Sequence, residues 1–150
     1  MSTKVIVLGD CGVGKTTLIK RLTRGVFIED HENVLPMYVE AFSYHAHDQH
    51  YSIFDIDGND GAIDSKRAHY SLASIAFVVF DITRHETFDN VPKWIEEVKT
   101  HLGDIEIVVI ANKCDKVREV NMNNFDDVGY PIYASSATYE TNPMTLRLSA

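Results

Sequence analysis

The segment Gly9-Asp10-Cys11-Gly12-Val13-Gly14-Lys15-Thr16 constrains this chain more than any other stretch. An apolar run, Val5-Ile6-Val7-Leu8, precedes it, and Thr17-Leu18-Ile19-Lys20-Arg21-Leu22 follows. Strand, glycine-rich turn and helix N-terminus thus arrive in the order a phosphate cradle needs. Glycines let successive backbone N–H groups turn inward on an anion. The helix N-terminus adds partial positive charge. Lys15 can reach terminal phosphates, and the Thr16 hydroxyl can sit on Mg2+. Glycines placed for loop flexibility alone would leave Lys15-Thr16 unexplained.

Asn112-Lys113-Cys114-Asp115 closes a second apolar run, Ile107-Val108-Val109-Ile110-Ala111. A carboxylate at Asp115 can accept hydrogen bonds from guanine N1–H and N2–H2 together. Adenine lacks that donor pair and would leave the carboxylate unsatisfied, at about 1–3 kcal/mol per lost partner. Such a string is weak alone. Downstream of a phosphate loop it points to a guanine nucleotide.

At 150 residues with 45% apolar content, the chain is expected to form one domain with a single core over 1–150. No apolar stretch approaches a membrane span, and no charged-then-apolar leader opens the sequence. The two cysteines, Cys11 and Cys114, both fall inside the nucleotide motifs, which leaves no disulfide framework. An intracellular, reducing compartment is expected, the cytoplasm with the nucleus also open. A net charge of -8 argues against a nucleic-acid surface. The end Leu148-Ser149-Ala150 offers no cysteine for a prenyl anchor.

The pattern predicts strands at 4–8, 37–46, 50–56, 75–80, 106–111 and 131–134, and helices at 15–24, near 64–73 and at 88–102. Gly25 and Gly103 sit where helices should stop. Val91, Trp94, Ile95, Val98 and Leu102 recur at helical spacing, and Pro92 fits only in a first turn. Runs 5–8, 75–80 and 107–110 are continuously apolar, as strands covered on both faces should be. Segments 37–46 and 50–56 read as a hairpin at one side of the sheet. The expected fold is α/β: a doubly wound, mostly parallel six-stranded sheet flanked by helices, with ligand at the carboxyl ends of its strands. After residue 138, Pro143-Met144-Thr145-Leu146-Arg147-Leu148 can form only a turn or two of final helix.

Over most of residues 4–138 the chain resembles the Ras superfamily of small GTPases. Asp55-Ile56-Asp57-Gly58 takes the place of that family's Asp-x-x-Gly element, and Ser136-Ala137-Thr138 that of its Ser-Ala-Lys element. Phe80-Asp81-Ile82-Thr83 and Thr87-Phe88-Asp89-Asn90-Val91-Pro92-Lys93-Trp94 look most like the Ran branch, with Rab close behind. The resemblance implies GTP or GDP with Mg2+ as ligands. It implies nucleotide contacts at Asp10, Cys11, Gly12, Val13, Gly14, Lys15, Thr16, Thr17, Phe27, Gly58, Asn112, Lys113, Asp115, Ser136, Ala137 and Thr138. Phe27 would lie against the guanine, Asn112 would tie the base loop to the phosphate loop, and Lys113 would lay its stem along base and ribose. Ala137 would offer its backbone N–H to guanine O6. Thr16 and Asp55 would hold the metal, Asp55 through water. Lys15, Asn59 and Asp57 are the catalytic candidates. Partners of the regulator or effector kind used by small GTPases are implied as well.

Several positions depart from the family. Val34 stands where a threonine should ligate Mg2+, and Asn59 where a glutamine should orient the attacking water. Asp57 puts a carboxylate where a small neutral residue should face the γ-phosphate. Thr138 replaces a lysine. Phe125-Asp126-Asp127 reverses the charge of a basic stretch that Ran carries. His45, His47 and His50 gather at the hairpin 43–51, with His45 and His47 expected on one strand face. No cysteine or second carboxylate cluster completes a metal set there, so they read as a solvated hairpin tip. Two functions follow from this pattern. One is a GDP/GTP switch with slow or helper-dependent hydrolysis. The other is a non-switching, GDP-biased module that mimics a Ran or Rab GTPase and occupies its partners. A phosphate-loop kinase or ATPase is disfavoured, because Asp115 selects guanine.

Overall fold

The computed structural model describes residues 2–24, 39–59, 61–112, 127–134 and 142–148. Its elements are β1 Ser2–Gly9, α1 Lys15–Thr23, β2 Val39–Ala46, β3 Gln49–Ile56, α2 Ile63–Arg67, β4 Ile75–Asp81, α3 His85–Asp89, α4 Val91–Leu102, β5 Glu106–Asn112, β6 Ile132–Ala134 and α5 Pro143–Leu148. The strands form one six-stranded sheet in the order β2-β3-β1-β4-β5-β6. Neighbouring strands from β3 to β6 are parallel, and β2 runs antiparallel to β3.

The period of two along each strand assigns side chains to opposite faces. In β1, Ile6 and Leu8 face one core, with Val78 and Phe80 of β4 and Trp94, Ile95 and Val98 of α4. Val5 and Val7 face the other, with Phe77 and Val79, Leu18 and Ile19 of α1, and Met144 and Leu148 of α5. Burying one such side chain fully contributes roughly 1.5–3 kcal/mol. Helix α4 inserts Val91, Trp94, Ile95 and Val98, and Leu102 packs at the edge, as the helical spacing predicts.

Three expectations are corrected. The helix expected near 64–73 ends at Arg67. Beyond it the chain turns through tight contacts, Tyr70 N–H to the Arg67 carbonyl at 3.0 Å and Ala73 N–H to the Tyr70 carbonyl at 3.1 Å. Leu72 then takes a left-handed φ of 69°, which no helix can continue through. The helix expected at 88–102 is two helices, α3 and α4, broken at Asn90. Pro92, in the first turn of α4, has no N–H to give to the preceding turn. Finally, His47 does not share a strand face with His45. It forms the β2–β3 turn with Asp48, at φ of 49° and 61°, as a two-residue type I′ connection requires. His45 instead pairs across the hairpin with His50, ring centroids 4.5 Å apart.

The final helix is short, as expected, and is held at both ends. The Asn142 carboxamide oxygen accepts the Met144 N–H at 2.9 Å, while its nitrogen donates to the Leu18 carbonyl at 2.8 Å. The buried Tyr51 hydroxyl donates to the Leu148 carbonyl at 2.9 Å, one of the last carbonyls that a helix leaves without an internal partner.

Candidate functional site

At the carboxyl end of β1 the chain enters a tight loop and then α1. Gly14 precedes α1 at φ 97°, a conformation that costs a residue with a Cβ roughly 1–2 kcal/mol. Lys15, the first residue of α1, is buried, and its ammonium spans the loop to donate to the carbonyls of Gly9 at 3.0 Å and Asp10 at 3.1 Å. Burial pushes the Lys15 pKa down, and the nearby charges, Asp55 foremost, oppose that shift. The Thr16 hydroxyl donates to the carboxylate of Asp55, which sits near the end of β3. Burial raises the Asp55 pKa; the Thr16 hydrogen bond and Lys15 lower it, while Glu40 and Asp57 raise it further.

Cys11, Gly12, Lys15, Thr16, Asp55, Asp57 and Gly58 line one concavity, together with Glu40. Gly14 and Thr17 line a second, which shares Gly12, Lys15 and Thr16 with the first. Gly58 is pressed against the phosphate loop. A Cβ there would fall 2.2 Å from the Gly9 carbonyl oxygen and 2.7 Å from the Cys11 nitrogen, so a larger residue would force the loops apart. Thr16 and Asp55 present hard oxygen donors side by side, and this pair fits Mg2+.

Other predicted residues are placed differently. The Asp10 carboxylate turns towards α4, accepting from Trp94 Nε1 at 2.8 Å and Asn90 Nδ2 at 2.7 Å. Only the backbone of Asp10 therefore faces the cradle. Val13 is fully buried, and its carbonyl accepts from Asn112 Nδ2 at 2.8 Å, which fastens the end of β5 to the phosphate loop. The Asn59 side chain donates to Asp57 Oδ2 at 3.2 Å, and its backbone N–H to Asp57 Oδ1 at 2.9 Å. Phe27, Val34, Lys113, Asp115, Ser136, Ala137 and Thr138 lie outside the described residues.

Three site residues escape a reading of the sequence. Glu40 lies directly opposite Asp55 across the antiparallel β2–β3 pair. Counting outward from a two-residue turn at His47-Asp48 would have found it. Arg84 donates to the Cys11 carbonyl at 2.9 Å and holds the buried Asp81 carboxylate at 3.3 Å. The buried Lys66 donates to the Asn59 carbonyl. Neither Arg84 nor Lys66 belongs to a local motif that would announce its contact. Among the described residues, no group of three or more His, Cys, Asp or Glu side chains is arranged to hold a metal.

The Ras family model matches residues 4–142. The chain is similar to Ras-related protein RABA1f of Arabidopsis thaliana, 35% identical over 115 residues, which are 75% of this chain and 53% of that one. It is also similar to Ras-related protein Rab11A of Lotus japonicus, 32% identical over 119 residues, 77% of this chain and 53% of that one. A third relative, Ras-related protein Rab-19 of Homo sapiens, is 29% identical over 115 residues, 75% of this chain and 53% of its own length. The chain spans about half the length of the curated relatives it matches. These relatives are of the Rab type, so the Ran leaning drawn from residues 80–94 finds no support and Rab fits instead. A phosphate cradle on β1 and α1, set against the end of β3 in a sheet of this order, agrees with that match: the chain belongs to the Ras family.

Proposed function

We propose that this chain is a guanine-nucleotide-binding switch of the Rab kind, one G domain whose GTP hydrolysis is slow or depends on a helper. The observation that carries this reading is the convergence of Lys15, Thr16 and Asp55 on one concavity where β1 and β3 end. In this reading, backbone N–H groups of the loop and the α1 N-terminus cradle the phosphates. Lys15 neutralises charge on the terminal phosphates, and it is already oriented by the Gly9 and Asp10 carbonyls. Thr16 and Asp55 would hold Mg2+, which when bound supplies charge neutralisation at the phosphates. Asn112 keeps the base-recognition segment in register with the loop through Val13, and Asp115 and Ala137 would read the guanine. Regulators and effectors of the small-GTPase kind, within an intracellular compartment, are the partners this reading entails.

A second reading is a non-switching, GDP-biased module that occupies the partners of a Rab GTPase. Asp57 and Glu40 support it, because both line the concavity beside Asp55 and would repel an additional phosphate. One experiment separates the two. Identify the nucleotide released from purified protein, then time single-turnover GTP hydrolysis with Mg2+. A switch carries GDP and converts loaded GTP at or below about 10⁻⁴ s⁻¹, the unaided rate of Ras-like proteins. A module that never takes up the triphosphate is the second reading. A protein that carries no guanine nucleotide is neither.

A further inference from the structure

We propose that Asp57 and Lys66 form a latch that keeps Asn59 from serving the reaction, so that this chain's own side chains restrain hydrolysis. The inference rests on the nucleotide reading above. Three hydrogen bonds hold Asn59. Its N–H and its side-chain Nδ2 both donate to the Asp57 carboxylate, and its carbonyl accepts from the Lys66 ammonium. Lys66 is 2% exposed, so its charged end is committed inside the protein rather than sampling solvent. At the other side, Gly58 lies flush on the backbone of Gly9 and Cys11, which fixes the loop against the cradle.

The chemistry at stake is the two-sided use of a carboxamide. To orient an attacking water, its oxygen must accept from the water while its N–H2 supports the charge that develops nearby. Here one of the two Nδ2 hydrogens is given to a carboxylate, an acceptor stronger than a neutral oxygen, and that bond fixes the direction of the whole planar carboxamide, oxygen included. Asn59 is shorter than the glutamine it replaces, so any reach to the phosphate end requires the loop to move forward. The Lys66 contact opposes that movement. A partner that drew Lys66 away or paired with Asp57 would release Asn59 without adding a catalytic group. Asp57 and Lys66 are therefore positioning residues, acting through Asn59.

The test uses the full chain loaded with GTP and Mg2+, with GDP affinity measured in parallel. Asp57→Ala is expected to raise the single-turnover rate about fivefold, the size of one hydrogen bond of this kind. Adding Asn59→Ala to Asp57→Ala should remove that gain. Lys66→Met, which keeps the buried stem, should raise the rate by a smaller factor. Because Lys66 is buried and its variant can fail to fold, the pair of variants at the half-buried Asp57 decides the matter alone. A rate unchanged by Asp57→Ala overturns the latch, as does a gain that survives Asn59→Ala. If GDP affinity is retained in either case, the latch fails and the nucleotide reading stands. Loss of all guanine-nucleotide binding by the wild-type protein would overturn both.

Discussion

The indole N–H of Trp94 donates to the carboxylate of Asp10 at 2.8 Å, joining the first turn of α4 to the phosphate loop. Asn90, at the start of the same helix, holds the second carboxylate oxygen at 2.7 Å. The loop's conformation is thus set partly by a helix on one face of the sheet. Replacing Trp94 by Phe keeps the aromatic core contact but leaves a carboxylate oxygen without its donor. We expect a loss of about 1.5–3 kcal/mol in unfolding free energy, together with weaker GDP binding. Denaturant unfolding and GDP titration of Trp94→Phe check this; unchanged values in both would contradict it. Trp94 is the sole tryptophan, so in the wild type its emission should also shift when nucleotide binds.

Leu72 is 88% exposed and adopts φ 69°. Its side chain contributes almost no burial, while its backbone bears the penalty of the left-handed region. Glycine removes that penalty of roughly 1–2 kcal/mol but adds freedom to the unfolded chain, worth about 0.5–1 kcal/mol. Leu72→Gly should therefore raise stability by about 0.5–1 kcal/mol. Urea unfolding with an unchanged slope is the readout, and a lower midpoint would count against the strain.

Leu72 also illustrates what the sequence conceals. The cradle, the α4 stripe and the continuously apolar strands were legible because each is encoded by local spacing within one element. A left-handed leucine carries no such signature; it lies between Tyr70 and Ala73, which are both buried in the core that α4 covers. The partners of Asp10 and Cys11 come from residues 84, 80 and 73 positions along the chain from them, and Lys66 reaches Asn59 from 7 positions away. Such contacts follow from how α2, β4 and α4 pack on the sheet, which no motif specifies.

Glu97 binds α4 to the segment after α2, accepting from Arg67 at 2.8 and 3.1 Å and from the Tyr70 hydroxyl at 3.2 Å, with His101 at 3.3 Å. Burial pushes its pKa up, but the hydrogen bond and charge of Arg67 outweigh that and hold it below the usual 4.5. A carboxylate with a lowered folded pKa contributes stability that is fully present above its unfolded pKa. That contribution is lost as pH falls through the folded value. Glu97→Gln should cost about 1 kcal/mol at pH 7. The gap between variant and wild type should close as the pH drops below about 4.5. A gap independent of pH would show that the ion pair is not its source.

Asp57 lines one concavity with Glu40 and Asp55, where the proposed reading puts the terminal phosphate. One extra negative charge about 5 Å from a carboxylate is repelled by ~3 kcal/mol at an effective dielectric near 20, an upper bound corresponding to a hundredfold preference for GDP. Titrating GDP and a non-hydrolysable GTP analogue should show GDP bound more tightly by wild type. The gap should narrow at least severalfold in Asp57→Ala. Equal wild-type affinities, or no relative gain for the analogue, would contradict the bias.

Guanine recognition through Asp115 is the centre of the account, and affinities of wild type and Asp115→Asn for GDP and XDP test it most directly. The substitution replaces an acceptor by a donor, which suits the C2 carbonyl of xanthine. The account predicts that wild type prefers GDP, and that Asp115→Asn loses GDP by a factor of ten or more while gaining XDP, since one unsatisfied partner costs about 1–3 kcal/mol. Undiminished GDP binding by Asp115→Asn would contradict it.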